Sequence, residues 1–172
     1  MIQQVKWTDI KFNFDFPAGK FPAIVERLAG APARLEEKIK DIPYLLLDQQ
    51  HNGGWSIQEH VGHLIDLELL HDKRLGEFEA GVETLSPADM SNLRTNEAGY
   101  NEQSISDILK EFRKVRREFV KRVNAYDASM PERTALHPRL LTPMRLVDML
   151  YFVAEHDDHH MAIISRIHRE LT

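Results

Sequence analysis

The chain has 172 residues, 42% of them hydrophobic and 28% charged, with a net charge of −5. That is the make-up of one ordinary globular domain, long enough to bury a core and too acidic for a nonspecific nucleic-acid binder. There is no cysteine, so disulfides, thiolate catalysis and thiolate metal sites are excluded, and any metal site must be built from nine histidines and the carboxylates.

No apolar run approaches the roughly eighteen residues of a membrane-spanning helix, and Met1–Lys6 has no signal-peptide character. A cytoplasmic location without membrane or nucleic-acid partners is therefore expected.

Along the chain, Phe12, Phe14 and Phe16 alternate with Lys11, Asn13 and Asp15. This period of two, with no evident partner strand, predicts an extended arm over residues 5–16 that lies on the body or on a second subunit. Pro17 and Gly19 end it. Helical spacing through Ile24, Leu28, Leu35 and Ile39 predicts a first helix from Phe21 to about Asp41, kinked or split at Gly30-Ala31-Pro32. A turn around Tyr44–Gln49 and a loop at His51–Gly54 follow. Ser56 with Glu59 forms a capping box that opens a second helix through Val61, Leu64 and Leu75 to about Phe78, closed by Gly81.

Residues 82–103 show little periodicity and read as a functional loop or lid, on which Asp89, Asn92 and Asn101 are candidates to face a substrate. Ser104 caps a third helix whose buried stripe is Ile105, Ile108, Leu109, Phe112, Val115, Phe119 and Val123. Its Lys110, Arg113, Lys114, Arg116, Arg117, Lys121 and Arg122 read as a solvated outer face. Residues 127–141 form a second loop, and Thr142-Pro143 supplies an N-cap and first-turn proline for a last helix over roughly 143–170. Four helices of about 20 to 29 residues joined by two longer crossovers predict an all-α antiparallel four-helix bundle. It spans 1–172 as a single domain with an extended N-terminal arm.

The last helix carries Ala154-Glu155-His156-Asp157-Asp158-His159-His160-Met161. His156 and His160, four apart, project from one face within the apolar stripe of Met149, Phe152, Val153, Ile163, Ile164 and Ile167. His159 lies at the edge of that stripe and Asp158 opposite. Two inward imidazoles are costly unless satisfied, either by an ion or by buried carbonyls and waters. A catalytic ion usually takes three protein ligands. The second helix offers His60, His63 and His71; periodicity places His60 and His71 nearer the middle of the buried face than His63, and does not choose among them.

The segment Trp55-Ser56-Ile57-Gln58-Glu59-His60-Val61-Gly62-His63-Leu64-Ile65-Asp66-Leu67-Glu68, with the downstream His156-Asp157-Asp158-His159-His160, resembles the DinB-like family of metalloenzymes, which includes YfiT-like hydrolases and bacillithiol transferases. The Gly30–Glu36 stretch, the Ala88–Asn92 loop and His137-Pro138-Arg139-Leu140 extend the resemblance over most of the chain. The family pattern falls on Trp55, His63, His156 and His160. It implies a four-helix bundle, often dimeric, that holds a divalent ion through those three imidazoles and water. Zinc or nickel is the expected ion, with iron or manganese as alternatives. On this resemblance His60 and His159 become bystanders or supporting groups, and His51, His71 and His168 ordinary packing or surface residues. His137 comes within reach of the pocket mouth.

An ion held by three neutral imidazoles keeps its full charge for an open position, where it acidifies water or stabilises a thiolate or oxyanion. The implied chemistry is hydrolysis or thiol-dependent transfer on a small-molecule substrate, in a homodimer. Asp66 and Asp157 are the candidate catalytic carboxylates, with Glu155 nearby, to orient an imidazole or act as base.

Three other readings exist. A zincin would want H-E-x-x-H, and Asp157 stands where its glutamate would be. A dinuclear carboxylate bundle would need two E-x-x-H motifs, and only Glu68–His71 fits. The last is a metal-binding stress-response or structural module without catalysis, distinguished by a closed fourth protein ligand. Imidazole ligation also predicts weaker ion retention below about pH 6.

Overall fold

The computed structural model describes residues 2–172, and four long helices carry its core: α1 (Phe21–Lys40), α2 (Ile57–Ala80), α4 (Ile105–Asn124) and α5 (Leu146–Leu171). A short α3 (Leu93–Glu97) lies between α2 and α4, and a two-stranded hairpin, β1 (Thr134–His137) and β2 (Thr142–Arg145), between α4 and α5. Both α1 and α2 pack chiefly on α4 and α5, so these two consecutive helices are diagonal partners. Among the described residues no helix is long and apolar enough to cross a membrane.

Helix α2 begins where its capping box requires. Ser56 Oγ accepts from Glu59 N at 3.1 Å, and Glu59 returns a carboxylate oxygen to Ser56 N at 2.7 Å. Gly81, at φ +69°, closes it in the left-handed conformation that favours glycine. In the middle of α2, a Cβ on Gly62 would stand 2.2 Å from the Tyr100 ring. That close approach lets the irregular 98–102 segment dock on the helix backbone.

Pro32 does not split α1, which runs unbroken through it. Its ring removes the N–H that would bond Leu28 O, and Arg116 Nη1 of α4 donates to that carbonyl instead, at 3.4 Å.

Arg116 corrects the expectation of a solvated outer face on the third long helix: it is 1% exposed. Its guanidinium also binds Glu68 of α2 (Nε–Oε1 2.8 Å, Nη2–Oε2 3.0 Å) and Asp157 of α5 (Nη1–Oδ2 2.5 Å, Nη2–Oδ1 3.1 Å). One side chain thereby joins all four long helices.

A second correction concerns the last crossover. Thr142 and Pro143 belong to β2, not to a helix start, with Leu136 opposite Pro143 and His137 opposite Thr142 in the antiparallel register. Helix α5 starts at Leu146, where Asp148 accepts from Arg145 N at 2.8 Å. A Thr-Pro pair reads equally as an N-cap with first-turn proline or as an edge strand, because neither place uses the proline's missing N–H. Ser104 does stand at the N-terminus of α4, but its side chain makes no capping bond.

The N-terminal arm lies on the body. Phe12, Phe14 and Phe16 are half-buried against the core, and Arg145 Nη2 donates to the carbonyls of Phe14 (3.2 Å) and Phe16 (2.8 Å). It forms no strand, consistent with the lack of a partner edge.

Candidate metal centre

His63 projects from α2, and His156 and His160 from α5, all at most 6% exposed. One ring nitrogen from each lies within 4.8 Å of those of the other two, and among the described residues no fourth histidine or carboxylate joins the set. His156 Nε2 and His160 Nε2 are 3.1 Å apart. Two imidazoles each about 2.0–2.1 Å from one zinc-like ion adopt that kind of separation.

The outer nitrogens are held from behind. Thr95 Oγ1 donates to Asp66 Oδ2 at 3.0 Å, which leaves its oxygen to accept from His63 Nδ1–H, also at 3.0 Å. That chain fixes the His63 tautomer with the Nε2 lone pair free. Asp66 is itself bound by Tyr100 Oη and Arg94 Nε, both at 2.9 Å. Behind His160, Nδ1 meets His60 Nδ1 at 2.9 Å, which holds the ring with its Nε2 toward His156 Nε2. His156 Nδ1 is buried with no partner. The Trp55 ring lies over His63 at 4.7 Å between centroids, and Trp7 of the arm stands edge-on to His156 at 4.9 Å.

Burial sets the protonation. It holds His63 down to about 3 and His60 to about 4, with His156 and His160 well below the usual imidazole range. The rings are therefore neutral at pH 7, as metal ligands must be. A donor set of three converging, neutral imidazoles fits a divalent metal ion.

A cavity of about 360 Å³ opens over these rings, walled by Trp7, Leu67, Leu70, Phe152 and the 87–92 segment. It is largely apolar, with His137 and His159 on its lining. The model of the DinB superfamily matches residues 27–164 of this sequence. The chain belongs to the DinB superfamily. Its fold is similar to that of YfiT from Bacillus subtilis, with a TM-score of 0.79 at 19% identity, over 94% of this chain and 93% of that one. That protein is described as a probable metal-dependent hydrolase with an unusual four-helix bundle topology. No curated protein matches the sequence.

In this DinB superfamily member the three expected ligands come together, and the other expected residues scatter. Asp157, 1% exposed, is taken up by Arg116 and does not line the cavity. Asp66 faces away and touches His63 only through Thr95. Glu155 pairs with Arg27 at 2.7 Å on the outside. Asp89 and Asn92 reach the cavity, whereas Asn101 accepts from Ser56 Oγ at 2.5 Å. His60 supports His160, and His159 accepts from Gln4 Nε2 at 3.1 Å. His71 is buried and lines the cavity. His51 pairs with Glu170 at 2.8 Å.

Trp7, Thr95, Arg74 and Arg139 have places at or behind the cavity that no spacing rule selects, because each stands in a loop, in an element too short to show a period, or reads as an ordinary helix charge. Thr95→Val keeps the shape but breaks the link from Asp66 to His63. It is expected to weaken ion affinity about 10- to 100-fold, measured by competition with a chromogenic chelator, with helicity unchanged.

Proposed function

We propose that the chain is a metal-dependent hydrolase acting on a small molecule, with zinc or nickel held by His63, His156 and His160. The observation that carries this reading is a convergent set of three, not four, ligand atoms facing a cavity. A purely structural site would close the fourth position with protein. Bound there, a divalent ion supplies Lewis acidity, which suits activation of water or a thiol and polarisation of a carbonyl.

The chain's own residues do the rest. Asp66, through Thr95, holds His63 in its metal-ready tautomer, and His60 braces the His160 ring. Trp7, Trp55 and Phe152 keep bulk water off the inner wall. His137 Nδ1 accepts from Leu140 N at 3.1 Å, so its hydrogen is on Nε2. Burial, aided by Arg74 and Arg139, lowers its pKa to about 4, leaving a neutral N–H donor on the cavity lining.

The test is elemental analysis of purified wild type and of His63→Ala, His156→Ala and His160→Ala. About one ion per chain is expected in wild type and near none in each variant, with far-ultraviolet circular dichroism still helical. Equal metal content in all four proteins sinks the assignment. Hydrolysis of acyl and amide substrates by the loaded protein, set against thiol-transfer substrates, then separates the two reaction classes.

A further inference from the structure

Two arginines of the cavity lack the partners that buried guanidiniums need. Arg74 is 2% exposed and, among the described residues, hydrogen-bonds only to the Ser86 carbonyl, from Nε at 3.0 Å and Nη2 at 2.7 Å. Arg139 has a buried Nη2 with no hydrogen-bond partner and lies over the Phe152 ring at 6.0 Å. The other buried arginine, Arg116, has two carboxylates; neither Arg74 nor the half-buried Arg139 is hydrogen-bonded to one.

The nearby acids are already engaged. Glu77 is close enough for Arg74 to feel, but its oxygens bond Ser86 N (2.8 Å) and Ser86 Oγ. Asp89 bonds Ser91 N and Leu93 N, both at 2.9 Å. Burial works against both guanidinium charges; at Arg74 the Glu77 carboxylate offsets part of that and Arg139 adds repulsion. Leaving desolvated guanidiniums without a hydrogen-bonded anion is costly, and an incoming anion repays that cost.

Position separates this cluster from the imidazoles. Arg74 lies eleven residues beyond His63 on the same helix, about 16 Å along its axis. Both arginines and the three imidazoles line one cavity, together with the apolar Leu67, Leu70 and Phe152.

We propose that Arg139 and Arg74 form an anion subsite at the end of the cavity remote from the metal centre. The substrate would then be an elongated molecule with an oxyanion, carboxylate or phosphate, at one end, an apolar body, and its reacting group at the other. This assignment of substrate class rests on the metal-dependent reading above, although the subsite itself can be tested without an ion.

Chelator-treated, full-length protein is titrated with hexanoate, hexyl phosphate and hexanol, and followed by thermal melting and calorimetry. At least one of the two anions is expected to bind at least tenfold more tightly than hexanol; which one does so distinguishes carboxylate from phosphate. Arg139→Gln is expected to remove that preference, and Arg139→Lys to restore part of it, both with wild-type metal content and a similar melting temperature. Equal binding of all three compounds, or an anion preference unchanged in Arg139→Gln, overturns the proposal.

His63→Ala keeps the two claims apart. Loss of the ion with retained anion preference supports both. Retained ion with anion preference intact overturns only the metal assignment, leaving the subsite standing.

Discussion

Arg116→Met is expected to cost the fold about 3–5 kcal/mol, as removal of one member of a buried ion cluster does. The side chain of methionine fills much of the space, so the loss is electrostatic. Glu68 and Asp157, 3% and 1% exposed, would face each other without the cation. Burial raises both acids' pKa values. Arg116 outweighs it at Glu68, holding that group at about 2, and does not fully offset it at Asp157, which stays raised. Asp157 is therefore the acid expected to take up a proton first when the arginine is gone.

Urea denaturation at pH 7.5 measures the cost. The triple variant Arg116→Met, Glu68→Gln, Asp157→Asn removes every charge of the cluster and is expected to recover most of the loss. A midpoint unchanged in the single variant would show that the three groups are not coupled.

Acidification of the metal-free protein has an effect of similar size. In the unfolded chain each imidazole takes up a proton near pH 6.5. In the fold His60 resists to about 4 and His63 to about 3, and His156 and His160 lie well below the ordinary value, chiefly through burial. Between those limits the unfolded chain binds more protons, so stability falls as pH falls. Each ring costs about 1.4 kcal/mol per pH unit below 6.5, and four together remove on the order of 5 kcal/mol by about pH 5.5. That is the scale of a small domain's whole stability.

Urea midpoints at pH 7.5, 6.5 and 5.5 are expected to drop steeply, and more steeply still with zinc present, since its ligands must be unprotonated. A flat midpoint would mean that the rings are not buried and neutral together. Ion loss below about pH 6 then follows from opening of the bundle rather than from titration inside it.

The four long helices were legible because each carries a 3.6-residue apolar stripe, and α2 also has a capping box and a terminal glycine. The hairpin was not, since four-residue strands around a Thr-Pro pair leave too short a pattern. The H-x-x-x-H pair on α5 follows from helix geometry. The choice of His63 over His60 does not, because both are buried on α2 and differ only in what stands opposite. His63 faces the shared centre, while His60 meets the back of His160. Residue type hid Arg116, although its place between Phe112 and Phe119 continues the buried stripe of α4. Trp7 gave no signal, since it lies in a short 3-10 turn ahead of the Phe12–Phe16 alternation, and nothing local shows which cavity it will reach.

The carbonyl of Leu28, released by Pro32 and taken by Arg116, has a consequence for how the helices are set against one another. Helical surfaces repeat every turn, and apolar ridges can slip by one repeat at small cost. A single unpaired acceptor on α1, met by a single guanidinium on α4, occurs at only one axial setting. Sliding by a turn would strand that carbonyl in the dry interior, so a proline that weakens its own helix also locks the vertical alignment of the pair.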